Sequence, residues 1–275
     1  MMGKFLARRH AAKAWWGAAF LALGLLVACQ TAPITGRSQF ILIPESSDAA
    51  LGLEAYNAIL AESEISNDPA LNGRVREVGH RIAAISPNPD FDWRFTVIKD
   101  DNPNAFALPG GKVGVNTGLF TVAKNDDQLA AVMAHEVGHA VARHGAERVS
   151  RAVLVQAGLA AVLAASKPKE EGQPAEAEPN QNAIYLQVLA AAATLAFILP
   201  FSRDQESEAD HIGIRYMAEA GYDPRQSVAL WKNFKAAGGN RMPEFLSTHP
   251  LPETRIQRLE ALVPSMLPIY EANRR

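Results

Sequence analysis

His135-Glu136-Val137-Gly138-His139 sets two imidazoles four residues apart, with a carboxylate beside the first. In a helix, positions four apart lie about 40° from each other around the axis, so both rings leave one face a turn apart. Two neutral nitrogens so placed suit a zinc ion, and the neighbouring Glu136 suits a base that takes a proton from a bound water. Leu129, Val132, Met133 and Val141 make the segment apolar. Two histidines and a glutamate inside a core need compensating partners, and a metal provides them. A longer histidine motif is missing, because Ala142 and Gly145 stand where it would carry glycine and histidine. His144, five residues past His139, turns about 140° away and is expected to be exposed.

The third ligand must come from another segment. Ser202-Arg203-Asp204-Gln205 has the form of a capping box opening a helix, and Glu206 follows it. Along that helix Ala209, Ile212, Gly213, Tyr216, Met217 and Ala220 mark an apolar face. Glu206 and Asp210 lie on this face, whereas Glu208 and His211 project elsewhere. Two carboxylates on a core-facing stripe are costly unless something compensates them. Glu206 as third metal ligand, with Asp210 bonding a ligand histidine, accounts for both. An internal salt bridge to Arg203 or Arg215 is the competing account.

The elements that must position these groups are mostly helical. Helices are expected from about Ser47 to Ser63 and from about Asp68, the latter with Leu71, Val75, Val78, Ile82 and Ile85 on one face and His80 solvated opposite. Phe91–Asp100 alternates like a half-buried strand, and Ala105–Leu108 and Lys112–Asn116 flank Pro109-Gly110-Gly111 as a hairpin. Asn125-Asp126-Asp127-Gln128 opens the HExxH helix, and Gly145 is expected to end it. Further helices are expected near 203–220, 224–237 and 252–263. The fold class is α+β, mostly helix with a small antiparallel β-sheet.

The 275 residues are 48% apolar, 20% charged and 7% aromatic, with net charge −2, which excludes a disordered or collagenous chain. The single cysteine excludes an intrachain disulfide and a cysteine-built metal site. Lys4, Arg8, Arg9 and Lys13 precede an uncharged run from Ala14 to Ala28, the build of a secretory signal. Leu26-Val27-Ala28-Cys29 resembles a bacterial lipobox. Residues 1–28 are therefore expected to be a lipoprotein signal peptide, Cys29 the lipidation and membrane-anchoring site, and 29–45 an extended tether. Gln30, in place of the aspartate of inner-membrane retention, points to the outer membrane and the periplasmic face of the envelope. Removal of 1–28 leaves 23 basic against 29 acidic residues, so nucleic acid is not an expected partner.

Residues 167–182 (KPKEEGQPAEAEPNQN) read as a mobile charged loop. Apolar runs flank it at 152–165 and 183–201. The first makes only about 22 Å of helix, against roughly 30 Å of hydrocarbon. A lone second span would part Glu206 from His135 and His139, and a paired hairpin would set an acidic loop on the cytoplasmic side. Both runs are read as buried or membrane-hugging helices.

His135-Glu136-x-x-His139, Glu206-x-x-x-Asp210, Asn104-Ala105-Phe106-Ala107-Leu108-Pro109-Gly110-Gly111 and Ser247-Thr248-His249-Pro250 together resemble gluzincin metallopeptidases of the CAAX prenyl endopeptidase and HtpX kind. The closer match is their small soluble branch, periplasmic lipoproteins and the catalytic domain of the mitochondrial inner-membrane quality-control peptidase, to which Pro33-Ile34-Thr35-Gly36-Arg37 is also similar. It departs in carrying His211 after Asp210, where the branch more often has arginine. The resemblance covers nearly all of 30–265 and implies a zincin-like metallopeptidase domain over 46–265, with 266–275 a C-terminal tail. It implies one Zn2+ per chain on His135, His139 and Glu206, with Glu136 as catalytic base. Polypeptide substrates would lie extended beside Asn104, Ala105, Phe106 and Ala107, an added strand whose main-chain bonds ignore sequence. His249 is placed near the metal, either as a donor to the oxyanion or as a displaceable fourth ligand, and both roles stay open. The implied function is endoproteolysis of misfolded or misassembled envelope proteins. The alternative is a periplasmic chaperone or assembly adaptor with a latent or structural zinc site. Oligomeric state is not read from the sequence.

Overall fold

In the computed structural model, residues 29–166, 200–237, 244–249 and 253–274 are described. The signal sequence, the 167–182 loop and all but the last two residues of the 183–201 run lie outside them. The described residues begin with β1 (Cys29–Thr31) and β2 (Ser38–Phe40), paired antiparallel, then α1 (Glu45–Ala61) and α2 (Pro69–Ile85). Strands β3 (Arg94–Ile98), β4 (Ala105–Leu108) and β5 (Lys112–Asn116) follow. The helices α3 (Asp126–Val141), α4 (His144–Ser166), α5 (Arg203–Glu219), α6 (Arg225–Ala237), α7 (Glu244–Thr248) and α8 (Glu253–Asn273) complete the described chain. The α+β class expected above is what forms.

Local sequence accounts for several boundaries. Asp68 caps α2 by accepting N–H bonds from Ala70 and Leu71, and Pro69 supplies a fixed φ at the first helical position. Ser202 and Gln205 close a full capping box on α5. His80 is exposed as expected, with its ring edge-on to Phe95.

The sheet corrects one expectation. Strands β4 and β5 form the hairpin, with Ala107 opposite Val113, but β3 joins the other side of β5 in parallel. The order β3-β5-β4 is therefore mixed and not wholly antiparallel. The hairpin pattern fixes only its own pair, while the position of β3 depends on which edge the 99–104 connection leaves open. Central β5 is buried along its whole length, and β4 becomes an edge strand.

The core is built around α3, buried at every position from Gln128 to Val141. It packs against α2, α5, α6 and β4. Two glycines let α3 and α5 approach closely. A Cβ on Gly213 would stand 2.9 Å from the His135 nitrogen, and one on Gly138 would stand 3.1 Å from the Ala209 oxygen. Backbone contact at this range fixes the distance between the HExxH segment and the helix carrying Glu206.

Helix α3 ends earlier than Gly145. Arg143 takes a left-handed φ of 52°, and α4 restarts at His144. Strain at a non-glycine residue persists only where the surroundings hold it. Here the Arg143 guanidinium donates to Asp48 Oδ2 at 3.1 Å, Ile43 O at 2.7 Å and Gln30 Oε1 at 3.0 Å. The turn is a tertiary product with no glycine to announce it.

Three further expectations change. The 29–45 segment is not a free tether: Ala32, Ile41 and Ile43 are buried, and the Leu42 N–H donates to Ser150 Oγ at 2.8 Å. For the 152–165 run, of the two alternatives buried and membrane-hugging, burial does not hold over the described part, because Leu154, Val155 and Leu159 stand 50%, 70% and 59% exposed while Ala152 and Val153 reach the Ile43–Val149 cluster. Residues 266–273 are no tail, since α8 continues to Asn273 with Met266 buried and Ile269 and Tyr270 packed on the core. No helix among the described residues is long and apolar enough to cross a membrane.

Candidate metal centre

Four side chains from three places in the fold converge. His135 and His139 come from α3, Glu206 from the first turn of α5, and His249 from the turn after α7. Their ligand atoms all lie within 4.8 Å of one another, and every one of the four residues is buried. The nitrogen Nε2 of His139 is 3.1 Å from Nε2 of His135 and 3.3 Å from Glu206 Oε1. Nε2 of His135 is 3.5 Å from Glu206 Oε2 and 3.3 Å from His249 Nδ1, which is 2.9 Å from Glu206 Oε1. Ligands at zinc's usual 2.0–2.1 Å in a tetrahedron stand about 3.3 Å apart, so this donor set fits that ion.

Charge points the same way. Glu136, Glu206 and Asp210 are buried carboxylates. A guanidinium that bonds two of them, Glu206 and Asp210, belongs to Arg255, itself 1% exposed. It forks onto Asp210 at 2.8 and 2.7 Å and also donates to Glu206. Arg148, on the same cavity, also acts on the Glu206 charge, and a divalent cation held among these carboxylates would add to their compensation. Burial opposes charge on His135, yet Asp210 and Glu206 raise its imidazole to about 9. Burial alone would raise the Glu206 carboxyl, but His249, His135 and His139 hold it well below the carboxylate range. His139 is pushed well below its ordinary value by burial, which keeps its ring neutral and able to ligate.

Asp210 stands 3.0 Å from Nδ1 of His135, on the side of the ring away from the cluster. That is the place expected for it from the sequence. The expected competitor, an ion pair of Glu206 or Asp210 with Arg203 or Arg215, does not form: Arg215 pairs with Glu219, and the partner is Arg255. Sequence reading missed Arg255, though a signal existed. It precedes Leu259, Leu262 and Met266 at helical spacing, so a charge sits on the apolar stripe of α8. The guanidinium also lies over the Trp231 ring, 4.1 Å from its centroid.

Glu136 is 2% exposed, and burial raises its carboxyl above the ordinary value. Its Oε2 accepts the Ala107 N–H of β4 at 3.1 Å, and its Oε1 faces His249 Nε2 at 3.4 Å. His249 therefore presents one nitrogen to the cluster and the other to Glu136. The ring is stacked on Phe245, with centroids 4.4 Å apart, and on Phe201 at 5.2 Å. A cavity of about 330 Å³ opens here. Asn104, Ala105, Phe106 and Ala107 line one wall, and Glu136, Phe201 and His249 line another.

His144 and Glu208 overturn their expectations. His144 is fully buried, and Glu208 is 4% exposed. Extrapolating 100° per residue past His139 fails because the helix breaks at Arg143, which turns His144 back toward the site. Its Nδ1 lies 2.8 Å from Nδ1 of His139, and its Nε2 lies 2.9 Å from Glu208 Oε2.

The sequence profile of peptidase family M48 matches residues 69–263, which include all four cluster residues. The chain is 35% identical to the mitochondrial metalloendopeptidase OMA1 of Schizosaccharomyces pombe, an alignment covering 84% of this chain and 66% of that protein. It is 34% identical to a putative β-barrel assembly-enhancing protease of Vibrio cholerae, over 74% of this chain and 41% of that one. Its identity to the β-barrel assembly-enhancing protease of Escherichia coli K12 is 30%, over 82% and 46%. The chain thus spans from about two fifths to two thirds of the length of these relatives. With a buried His-Glu-His helix, a glutamate on a second helix and a profile match across most of the chain, this protein belongs to peptidase family M48.

Proposed function

We propose that the protein is a zinc-dependent endopeptidase of the bacterial cell envelope that removes misfolded or misassembled proteins. The observation that carries this reading is the convergence of three buried histidines and a glutamate beside a cavity that Glu136 and His249 line and that the edge strand β4 borders. His135, His139 and Glu206 are the ligands in this reading. A zinc ion held by them supplies Lewis acidity to a scissile carbonyl and acidifies water. Glu136 takes the proton of the attacking water and delivers it to the leaving amine, its basicity raised by burial and its carboxylate held by Ala107 N–H. Asp210 fixes His135, and Arg255 holds Asp210 and Glu206 in place. Substrate adds as an extended strand along β4, whose outer edge borders the cavity.

The same reading makes residues 1–28 a signal peptide and Cys29 the lipid anchor, probed below by a Cys29 substitution. Outer-membrane attachment follows from Gln30, and the bacterial relatives' name directs attention to β-barrel proteins as substrates. The test is digestion of casein by the purified protein. Cleavage that stops with a chelator and returns with one equivalent of zinc per chain is expected. A protein that binds zinc, never cleaves, and suppresses casein aggregation would support the chaperone alternative instead.

A further inference from the structure

Beyond the ligands, a second line of buried polar groups runs from His139 toward the N-terminal segment. Nδ1 of His139 meets Nδ1 of His144 at 2.8 Å, and Nε2 of His144 meets Glu208 Oε2 at 2.9 Å. Glu208 in turn accepts the Arg37 Nε–H at 2.7 Å and the Thr35 hydroxyl. The same guanidinium forks onto Glu147 at 2.9 and 2.8 Å. His144 is 0% exposed, Glu147 0% and Glu208 4%. Nothing in the proteolytic mechanism uses these groups, and buried carboxylates are not retained without partners.

The direction of each bond is determined from both ends. His139 turns Nε2 into the cluster, where it must offer a lone pair, so its ring proton sits on Nδ1 and is donated outward. The Glu208 carboxylate can only accept, so the ring proton of a neutral His144 sits on Nε2. That leaves Nδ1 of His144 as the acceptor that His139 requires. The two constraints meet without conflict at the 2.8 Å contact.

We propose that His144 and Glu208 are positioning residues for the metal ligand His139, and that Thr35 and Arg37 form the clasp that holds them. The inference rests on the zinc reading above. A ligand imidazole whose outer N–H is bonded is fixed in rotation and is a better donor. Beside His135 a carboxylate, Asp210, stands 3.0 Å from the outer nitrogen, whereas His139 reaches its carboxylate through a second imidazole. The clasp lies six to eight residues after Cys29, so docking of the segment next to the proposed anchor is linked to the quality of the metal site.

The test measures zinc affinity by chelator competition on the full-length protein. His144→Leu should weaken zinc binding on the order of 10- to 100-fold, the range for such supporting partners. His144→Asn, which keeps an acceptor for His139, should recover most of that loss. Glu208→Gln should fall between them, and Thr35→Val should give a smaller loss in the same direction. A His144→Leu protein with wild-type zinc affinity overturns the proposal while leaving the metal site intact. Wild-type protein that binds no zinc overturns both. A second measurement needs no variant: imidazole ¹⁵N resonances of the zinc-loaded wild type should place protons on Nδ1 of His139 and Nε2 of His144. A proton on Nδ1 of His144 would overturn the relay even if every variant failed to fold.

Discussion

At the residue scale, the chemistry rests on groups whose burial is paid for by their neighbours. Glu136 keeps its carboxylate inside the core beside one backbone N–H and the Nε2 edge of His249. Glu136→Gln preserves size and the Ala107 contact but cannot take a proton. The expected outcome is zinc bound at one per chain with turnover lower by at least about 10²–10⁴-fold, read by metal analysis beside a peptide assay. Retained turnover would reject the base assignment. His249 distinguishes two modes of control. Its Nδ1 lies 2.9 Å from Glu206, close enough to complete a four-ligand set, while its Nε2 points to Glu136. If it is a resting ligand, His249→Ala raises basal proteolysis. If it is an oxyanion donor, the same variant lowers kcat on the order of 10²–10³-fold with zinc retained. Unchanged activity and unchanged metal affinity would reject both roles.

At the element scale, the site depends on how closely α3 and α5 pack. Gly213 faces the backbone of Ala134 and His135, where an added Cβ would stand 2.9 Å from nitrogen. Gly213→Ala is therefore expected to destabilise the fold by about 1–3 kcal/mol, the usual range for overpacking, and to weaken zinc binding by moving Glu206 away from the histidines. Thermal melts with and without zinc would show it, and a wild-type Tm would mean that the helices yield freely. The N-terminal segment is held to α4 and α5 by charge. Burial alone would raise the Glu147 carboxyl, but its bonds from Arg37 and Gln205 bring it from 4.5 down to about 2. A carboxyl with a depressed folded pKa stabilises the fold above its unfolded value and loses that contribution as pH falls through the folded one. The difference in Tm between wild type and Glu147→Gln should accordingly be full above pH 4.5 and shrink toward pH 2. A difference independent of pH would show that Glu147 contributes by packing alone.

At the scale of the whole molecule, the N-terminal segment joins the proposed membrane anchor to the catalytic body. Cys29→Ser should release the protein from the membrane fraction and abolish palmitate incorporation, while casein cleavage by the purified protein persists. Incorporation that survives the change would refute the lipid assignment. The sequence by itself singled out His135, His139, Glu206, Glu136 and Asp210, which the fold brings together, because helical periodicity acts over a single turn and tells which residues share a face. It also determined the caps of α2 and α5 and the β4–β5 hairpin, since each is closed by residues a few positions apart. Tertiary structure decided the rest. Arg143 is left-handed because Gln30, Ile43 and Asp48 grip its side chain, and that turn buries His144 where periodicity had exposed it. Arg255 reaches Glu206 and Asp210 from a helix about 45 residues farther along. Strand β3 pairs parallel with β5 because β4 takes the other edge. Each of these outcomes is a contact between distant segments, whose energy no local pattern of residues encodes.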